Sequence, residues 1–357
     1  MPMANFFRRT ERRSAAISLA LIGGLAWGLS LLSAEAQTAH SSFDGVSPNS
    51  PCASEIKHAA MCRAANEEVV RLLLARRFVG EAIMQDVRTG AIVSFAGTAF
   101  VPGGKELHAA GILPGAGALP LSSVKLMLAA IWWEHEDSID SQLHKTAPNL
   151  NEMLVAGHDE PARQLALLLR RSIGSQAVLD DLARFGFPLC APGKAGRPFS
   201  PPACVALTPR TSDADWASSL SIGETNFTVS LEQLSRFLRA IGKTGAIPLS
   251  SLDKERRPGN MMSRETATQL QVAMLDAVDD GSAKGIRGRL GTEWRIGGKT
   301  GTGPADTHPH DGIFAGLVFG AESEARFTII CYVRNGGPGG GAAAEISADL
   351  ARFVIGL

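Results

Sequence analysis

The chain has 357 residues, 45% of them hydrophobic and 20% charged, with Lys and Arg balancing Asp and Glu at 35 each. A balanced charge offers no basic surface with which to grip nucleic acid. The length and apolar share suffice for one large domain with a subdomain.

In chain order, Arg8-Arg9 and Arg12-Arg13 precede an apolar run from Ala15 to Leu32, closed by Ala34-Glu35-Ala36. A basic start, an apolar middle and small residues at the cleavage point make 1–36 an expected export signal. An uncleaved membrane anchor is the alternative, because the run is near the lower limit for a bilayer span. Residues 37–52 read as a polar linker, and 53–357 as the folded domain. Cys52 and Cys62 bracket a short segment, and Cys190 and Cys204 bracket a loop rich in Pro and Gly. Both pairs are candidates for local disulfides in an oxidising compartment. Cys331 remains over, inside an apolar strand pattern that makes it a packed thiol.

A helical pattern runs from Ala53 to Arg77, and strands follow near Phe78 to Gln85 and Ala91 to Phe95, with Thr89-Gly90 at the turn. The middle, Ser122 to Phe187, reads as mainly helical, and Cys190 to Ala217 as a long loop. An amphipathic helix spans Leu231 to Ile241. Strands are expected near Glu293 to Gly298, Ile313 to Phe319 and Arg326 to Val333, before a closing helix from Ala343 to Leu357. Consecutive strands favour antiparallel pairing, so the fold is α+β: a mixed, mostly antiparallel sheet flanked by helices, with a helical subdomain.

Two short strings carry chemistry. Ser122-Ser-Val-Lys125 opens an apolar stretch, Leu126 to Trp133, with the pattern of a buried helix. At i and i+3 a hydroxyl and an amine share one helix face, which supplies a nucleophile with its base. The lysine can take a proton only if burial or a second cation lowers its pKa, and Lys299 would supply that cation. S-x-x-K also occurs at Ser54 and at Ser251, but neither begins an apolar helix. The second string, Lys299-Thr300-Gly301-Thr302, follows a strand pattern and two glycines. Its twin, Lys243-Thr244-Gly245, follows the Leu231 helix and reads as a helix end.

S-x-x-K followed downstream by K-T-G is the pattern of penicillin-binding proteins and serine β-lactamases. The order of the segments from about Val69 onward resembles the transpeptidase domain of penicillin-binding proteins. The hairpin Gln85 to Gly97, Leu182 to Pro188, Ser221 to Ser230, Ala277 to Gly285 and His310 to Gly316 all fall in the family's sequence. The resemblance implies a Ser122 acyl-enzyme with Lys125 as base, and Lys299 and Thr300 on a substrate carboxylate. Gly301 would leave the nucleophile uncovered, and the Ser122 and Thr302 amides would form an oxyanion hole. It also implies a periplasmic D,D-transpeptidase acting on peptidoglycan stem peptides and acylated by β-lactams, with a possible glycosyltransferase partner. No cofactor or metal is expected, because His308-Pro-His310 lacks a third ligand at a suitable spacing.

One element departs from the family. Where the family carries S-x-N, whose serine relays a proton, this chain has Gly157-His158-Asp159. Gly157 has no hydroxyl. Asp159 is left to accept hydrogen bonds from substrate or from Lys125, and His158 is a weaker candidate for the relay. The departure keeps alive a degenerate, non-catalytic domain of the same fold. A β-lactamase or a D,D-carboxypeptidase is a further alternative, although the only tyrosine, Tyr332, is followed by Val-Arg and supplies neither Y-x-N nor Y-G-N.

Overall fold

The structure, a computed structural model, describes residues 56–101, 103–111, 117–194, 202–246, 260–304 and 309–356. The expected export signal and linker, with Cys52, Ser54 and Ser251, lie outside the described residues.

The chain enters through helix α1 (Ile56–Ala75) and a meander of β1 (Val79–Asp86), β2 (Ile92–Phe100) and β3 (Leu107–Ala110). The hairpin turn is tied by its own side chains: the Thr89 amide and hydroxyl donate to Asp86 Oδ1 at 2.6 and 2.8 Å. A helical middle follows, with α2 (Val124–His135), α3 (Ser141–His144), α4 (Asp159–Ser172), α5 (Ser175–Arg184), α6 (Asp213–Ser221), α7 (Leu231–Gly242) and α8 (Arg264–Asp279). The chain then returns to the sheet as β4 (Arg295–Gly303), β5 (Asp311–Phe319) and β6 (Ala325–Arg334), and closes with α9 (Ala342–Ile355).

The six strands form one sheet in the order β3-β2-β1-β6-β5-β4, antiparallel at every pairing. Two meanders, one from each end of the described chain, are joined by β1 against β6, with Ile83 opposite Ile330. The one parallel pairing among the described residues is an isolated bridge, Leu189 to Val205.

Side chains alternate across this sheet with the period of two that strands impose. In β6, Ile330 and Tyr332 face one core, shared with residues of α2, α4, α7 and α8. Ile329, Cys331 and Val333 face the other, shared with α1 and α9. Helices therefore cover both faces, and β4 is left as an edge. That edge is where the site forms.

The expected loop from Cys190 to Ala217 is shorter than its composition implies. Its end is the start of α6, capped by Ser212, whose hydroxyl accepts from the Asp215 amide at 3.1 Å. A disulfide joins Cys190 to Cys204, and Val205 bridges to both Leu189 and Phe227, so Cys190, Cys204 and Val205 are pinned to their neighbours. Cys62 is also disulfide-bonded. Cys331 is a free, fully buried thiol, and burial pushes its pKa up and holds it protonated.

Candidate active site

Ser122 sits in a single 3₁₀ turn, Leu121–Ser123, that runs directly into α2. Pro120 starts the turn, where its missing N–H is no loss. From Val124 to Trp132 every residue of α2 is buried, so the helix is gripped on all sides and holds the turn in place. Leu121 has φ 48°, a left-handed conformation that strains a non-glycine residue by about 1–2 kcal/mol. Its amide donates to the Gly223 carbonyl at 3.3 Å. The Ser123 hydroxyl turns back to the Pro120 carbonyl at 2.5 Å, whereas Ser122 is partly exposed. Of the two adjacent serines, only Ser122 is open to a ligand.

Lys125, one turn on, is completely buried. Its Nζ donates to the Gly157 carbonyl at 2.7 Å and to Asp159 Oδ1 at 2.5 Å, and forms no hydrogen bond to Ser122. Burial lowers the Lys125 pKa; the bond to Asp159 and its charge oppose that, and nearby Arg163 adds to the lowering. Asp159 is the first residue of α4, with a half-exposed side chain.

Gly157 ends a wide helical turn, Glu152–Ala156, at φ 89°. This is a backbone conformation that glycine takes without strain and serine does not. A side chain built there would point at the second lysine: its Cβ would lie 3.5 Å from Lys299 Nζ and 3.9 Å from Ser282 Cβ. The position vacated by the missing hydroxyl thus lies beside Lys299.

Lys299, Thr300 and Gly301 belong to β4 itself; the strand runs past them to Gly303. Lys299 is buried, and its Nζ donates to the Thr300 carbonyl at 3.0 Å. Burial, reinforced by the charge of Lys125, pushes its pKa down to about 7, against a smaller pull upward from Asp159. The Thr300 hydroxyl donates to Ser282 Oγ at 2.8 Å. Gly301 is where β4 touches the turn of Ser122: a Cβ there would come within 2.8 Å of Leu121 Cβ and 3.0 Å of the Ser122 nitrogen. Thr302 is exposed, and its hydroxyl accepts from the Gly339 amide at 3.0 Å.

The structure therefore gathers Ser122, Lys125, Gly157, Asp159, Lys299, Thr300 and Gly301 at one place. His158 is exposed, and its ring makes no hydrogen bond among the described residues. It lines an open cleft of about 660 Å³ with Asn149, Glu152, Gly157, Asp159 and Gln164. The Lys243-Thr244-Gly245 copy takes no part. Lys243 is the C-cap of α7, and Thr244 and Gly245 follow at φ 53° and 95°. The His310 ring meets the Pro304 carbonyl at 2.9 Å, and His308 lies outside the described residues. No group of three metal-ligating side chains occurs among the described residues, nor a helix long and apolar enough to cross a membrane. Ser282 is the site residue that motif reading passes over. It follows α8 in an Asp-Gly-Ser turn, and only its place in the family-like segment from Ala277 to Gly285 marked it.

Residues 206–352 match the family model described as the penicillin binding protein transpeptidase domain. That span holds Ser282 and the β4 motif, while Ser122 and Lys125 precede it. No curated protein matches the chain. Among solved structures, it resembles the transpeptidase domain of Burkholderia pseudomallei penicillin-binding protein 3, at 15% identity and a TM-score of 0.62, covering 88% of this chain and 96% of that one. The transpeptidase domain of the FtsI4 D,D-transpeptidase from Legionella pneumophila matches at 17% identity and 0.57, over 83% and 94%. The D,D-transpeptidase domain of a peptidoglycan glycosyltransferase from Eggerthella lenta matches at 16% and 0.60, over 82% and 81%.

Proposed function

Because the chain carries a penicillin-binding protein transpeptidase domain, we propose that it is an exported D,D-transpeptidase that acts on peptidoglycan stem peptides through a Ser122 acyl-enzyme. The observation that carries this reading is the convergence of Ser122 and Lys125, of Gly157 and Asp159, and of the β4 motif, three distant parts of the chain, at one place.

Ser122 attacks the carbonyl of the penultimate D-Ala, and Lys125 takes its proton. A lysine does this only as the neutral amine, which complete burial favours. The Ser122 amide, held within reach of Gly301, joins the Thr302 amide to receive the developing oxyanion. Lys299 holds the terminal carboxylate, Thr300 fixes the strand beside it by giving its hydroxyl proton to Ser282 Oγ, and any side chain at 301 would push into the nucleophile's turn. The terminal D-Ala leaves, and an amine or water takes the acyl group. The protein works in the periplasm, with a glycosyltransferase as a partner in wall synthesis.

A peptide ending in D-Ala-D-Ala tests this, incubated with and without an amine acceptor and followed by mass spectrometry. Released D-Ala and an acyl-transfer product, both lost in Ser122→Ala, are expected. A second reading, a domain that binds peptidoglycan without turnover, is favoured by one observation: Lys125 is paired with Asp159 and not with Ser122. Binding of the peptide with no D-Ala release and no acylation by penicillin would establish it.

A further inference from the structure

We propose that Ser282 supplies the hydroxyl that residue 157 lacks, relaying a proton from the lysine pair to the leaving nitrogen. The inference rests on the acyl-transfer reading above and assigns a residue to its unfilled step.

The geometry is specific. The turn after α8 is packed on the turn that ends at Gly157: the Ser282 amide donates to the Val155 carbonyl at 3.0 Å. A side chain at Gly281 would collide with that carbonyl, at 2.4 Å, so the two turns are in close contact. This contact brings Ser282 Cβ to 3.9 Å from the point where a residue-157 Cβ would stand, and Lys299 Nζ, from β4, lies 3.5 Å from the same point. A second strand element fixes the hydroxyl. Thr300 Oγ1 donates to Ser282 Oγ at 2.8 Å, while Lys299 Nζ is held by the carbonyl of the same Thr300. With the Thr300 proton accepted, the Ser282 proton is free to point toward a ligand, since a hydroxyl both accepts and donates. Ser282 is partly exposed, as a group that meets substrate has to be.

The step balances. The Ser122 Oγ–C bond forms as the Ser122 proton passes to the lysine pair. The C–N bond then breaks with its electron pair on nitrogen, which takes the Ser282 proton. Ser282 Oγ takes one proton back from the lysine pair, which ends with the charge it began with.

Rapid-mixing acylation by a chromogenic penicillin separates the Kd of the first complex from the acylation rate constant. Ser282→Ala is expected to keep the wild-type Kd and lose about 10²-fold in the rate constant, the usual scale of general acid catalysis. Ser282→Gly should lose as much, and Ser282→Thr, which keeps a hydroxyl, should stay within a few-fold of wild type. Equal rate constants in Ser282→Ala and wild type overturn the relay and leave the acyl-enzyme standing. A raised Kd with an unchanged rate constant also overturns it, because that is the signature of a serine that only holds Thr300. Wild type that is not acylated at all removes the acyl-transfer reading, and the relay with it.

Discussion

The tripeptide Lys-Thr-Gly occurs twice among the described residues, and the two copies share nothing but their letters. At Lys243 it ends a helix whose capping box is at the other end, and its amides satisfy the last carbonyls of α7: Lys243 to Arg239 at 2.8 Å and Gly245 to Ala240 at 2.7 Å. At Lys299 it lies in an edge strand with its lysine buried, beside a second buried lysine and the turn of Ser122. Three letters acquire chemistry from the element that carries them. In the first copy glycine serves the backbone, and in the second it makes room for a neighbour.

The largest effect expected concerns the lysine that the second copy has for company. Lys125→Arg keeps the charge but cannot give it up, so acylation by penicillin should fall by more than about 10³-fold. Its melting temperature should show a folded protein, and comparable acylation in variant and wild type would remove Lys125 as the base.

The two glycines separate the copies next. Gly301→Ala places a methyl within 2.6 Å of Ile313 Cγ2 and against the Ser122 turn. It should cut acylation about tenfold or more, because catalysis is sensitive to displacements of about 1 Å. Gly245→Ala meets the Met262 carbonyl at 2.1 Å in a left-handed backbone. It should lower stability by about 1–3 kcal/mol and leave the acylation of the folded fraction unchanged. An exchange of these outcomes would break the comparison.

The pH dependence sharpens it. The Lys299 pKa is pushed down to about 7 by burial and by Lys125, so its charge, and with it the grip on a carboxylate, is present below pH 7 and lost above. The apparent affinity for penicillin should therefore fall above pH about 7, and Lys299→Met should remove that limb. The same variant should be more stable than wild type. A buried lysine whose folded pKa lies below its unfolded 10.5 carries the full cost of its charge below pH 7, and that cost is relieved as pH rises toward 10.5. Denaturant titrations should show the wild type gaining stability over this window and the variant much less. Lys243→Ala is the smallest effect expected, within about 0.5 kcal/mol in stability and nothing in acylation.

Much of this was legible in the letters because local physics decides it. The run behind Ser122 is apolar all round, as a buried helix requires, and Leu231 to Ile241 has one apolar face. β5 and β6 are apolar enough to mark themselves. β3 escaped, being four residues long and containing His108 on a sheet edge. The start of α6 was hidden behind Pro and Gly, although Ser212 and Asp215 form its cap. At the site, the Ser122-to-Lys125 string and the β4 motif could be read because each is contiguous. Of the two partners expected for Asp159, substrate or Lys125, the structure shows Lys125; that Gly157 takes φ 89° and that Ser282 stands beside it depend on contacts between segments far apart in the chain, which no spacing encodes.

The most direct measurement is the site of covalent modification. The protein is incubated with a labelled penicillin, its intact mass is recorded, and the adduct is mapped by peptide sequencing in the mass spectrometer. One adduct per chain on Ser122, absent from Ser122→Ala, is the expected result. A label on Ser54 or Ser251, or a chain that stays unmodified at saturating penicillin, would contradict the assignment of Ser122 as the nucleophile.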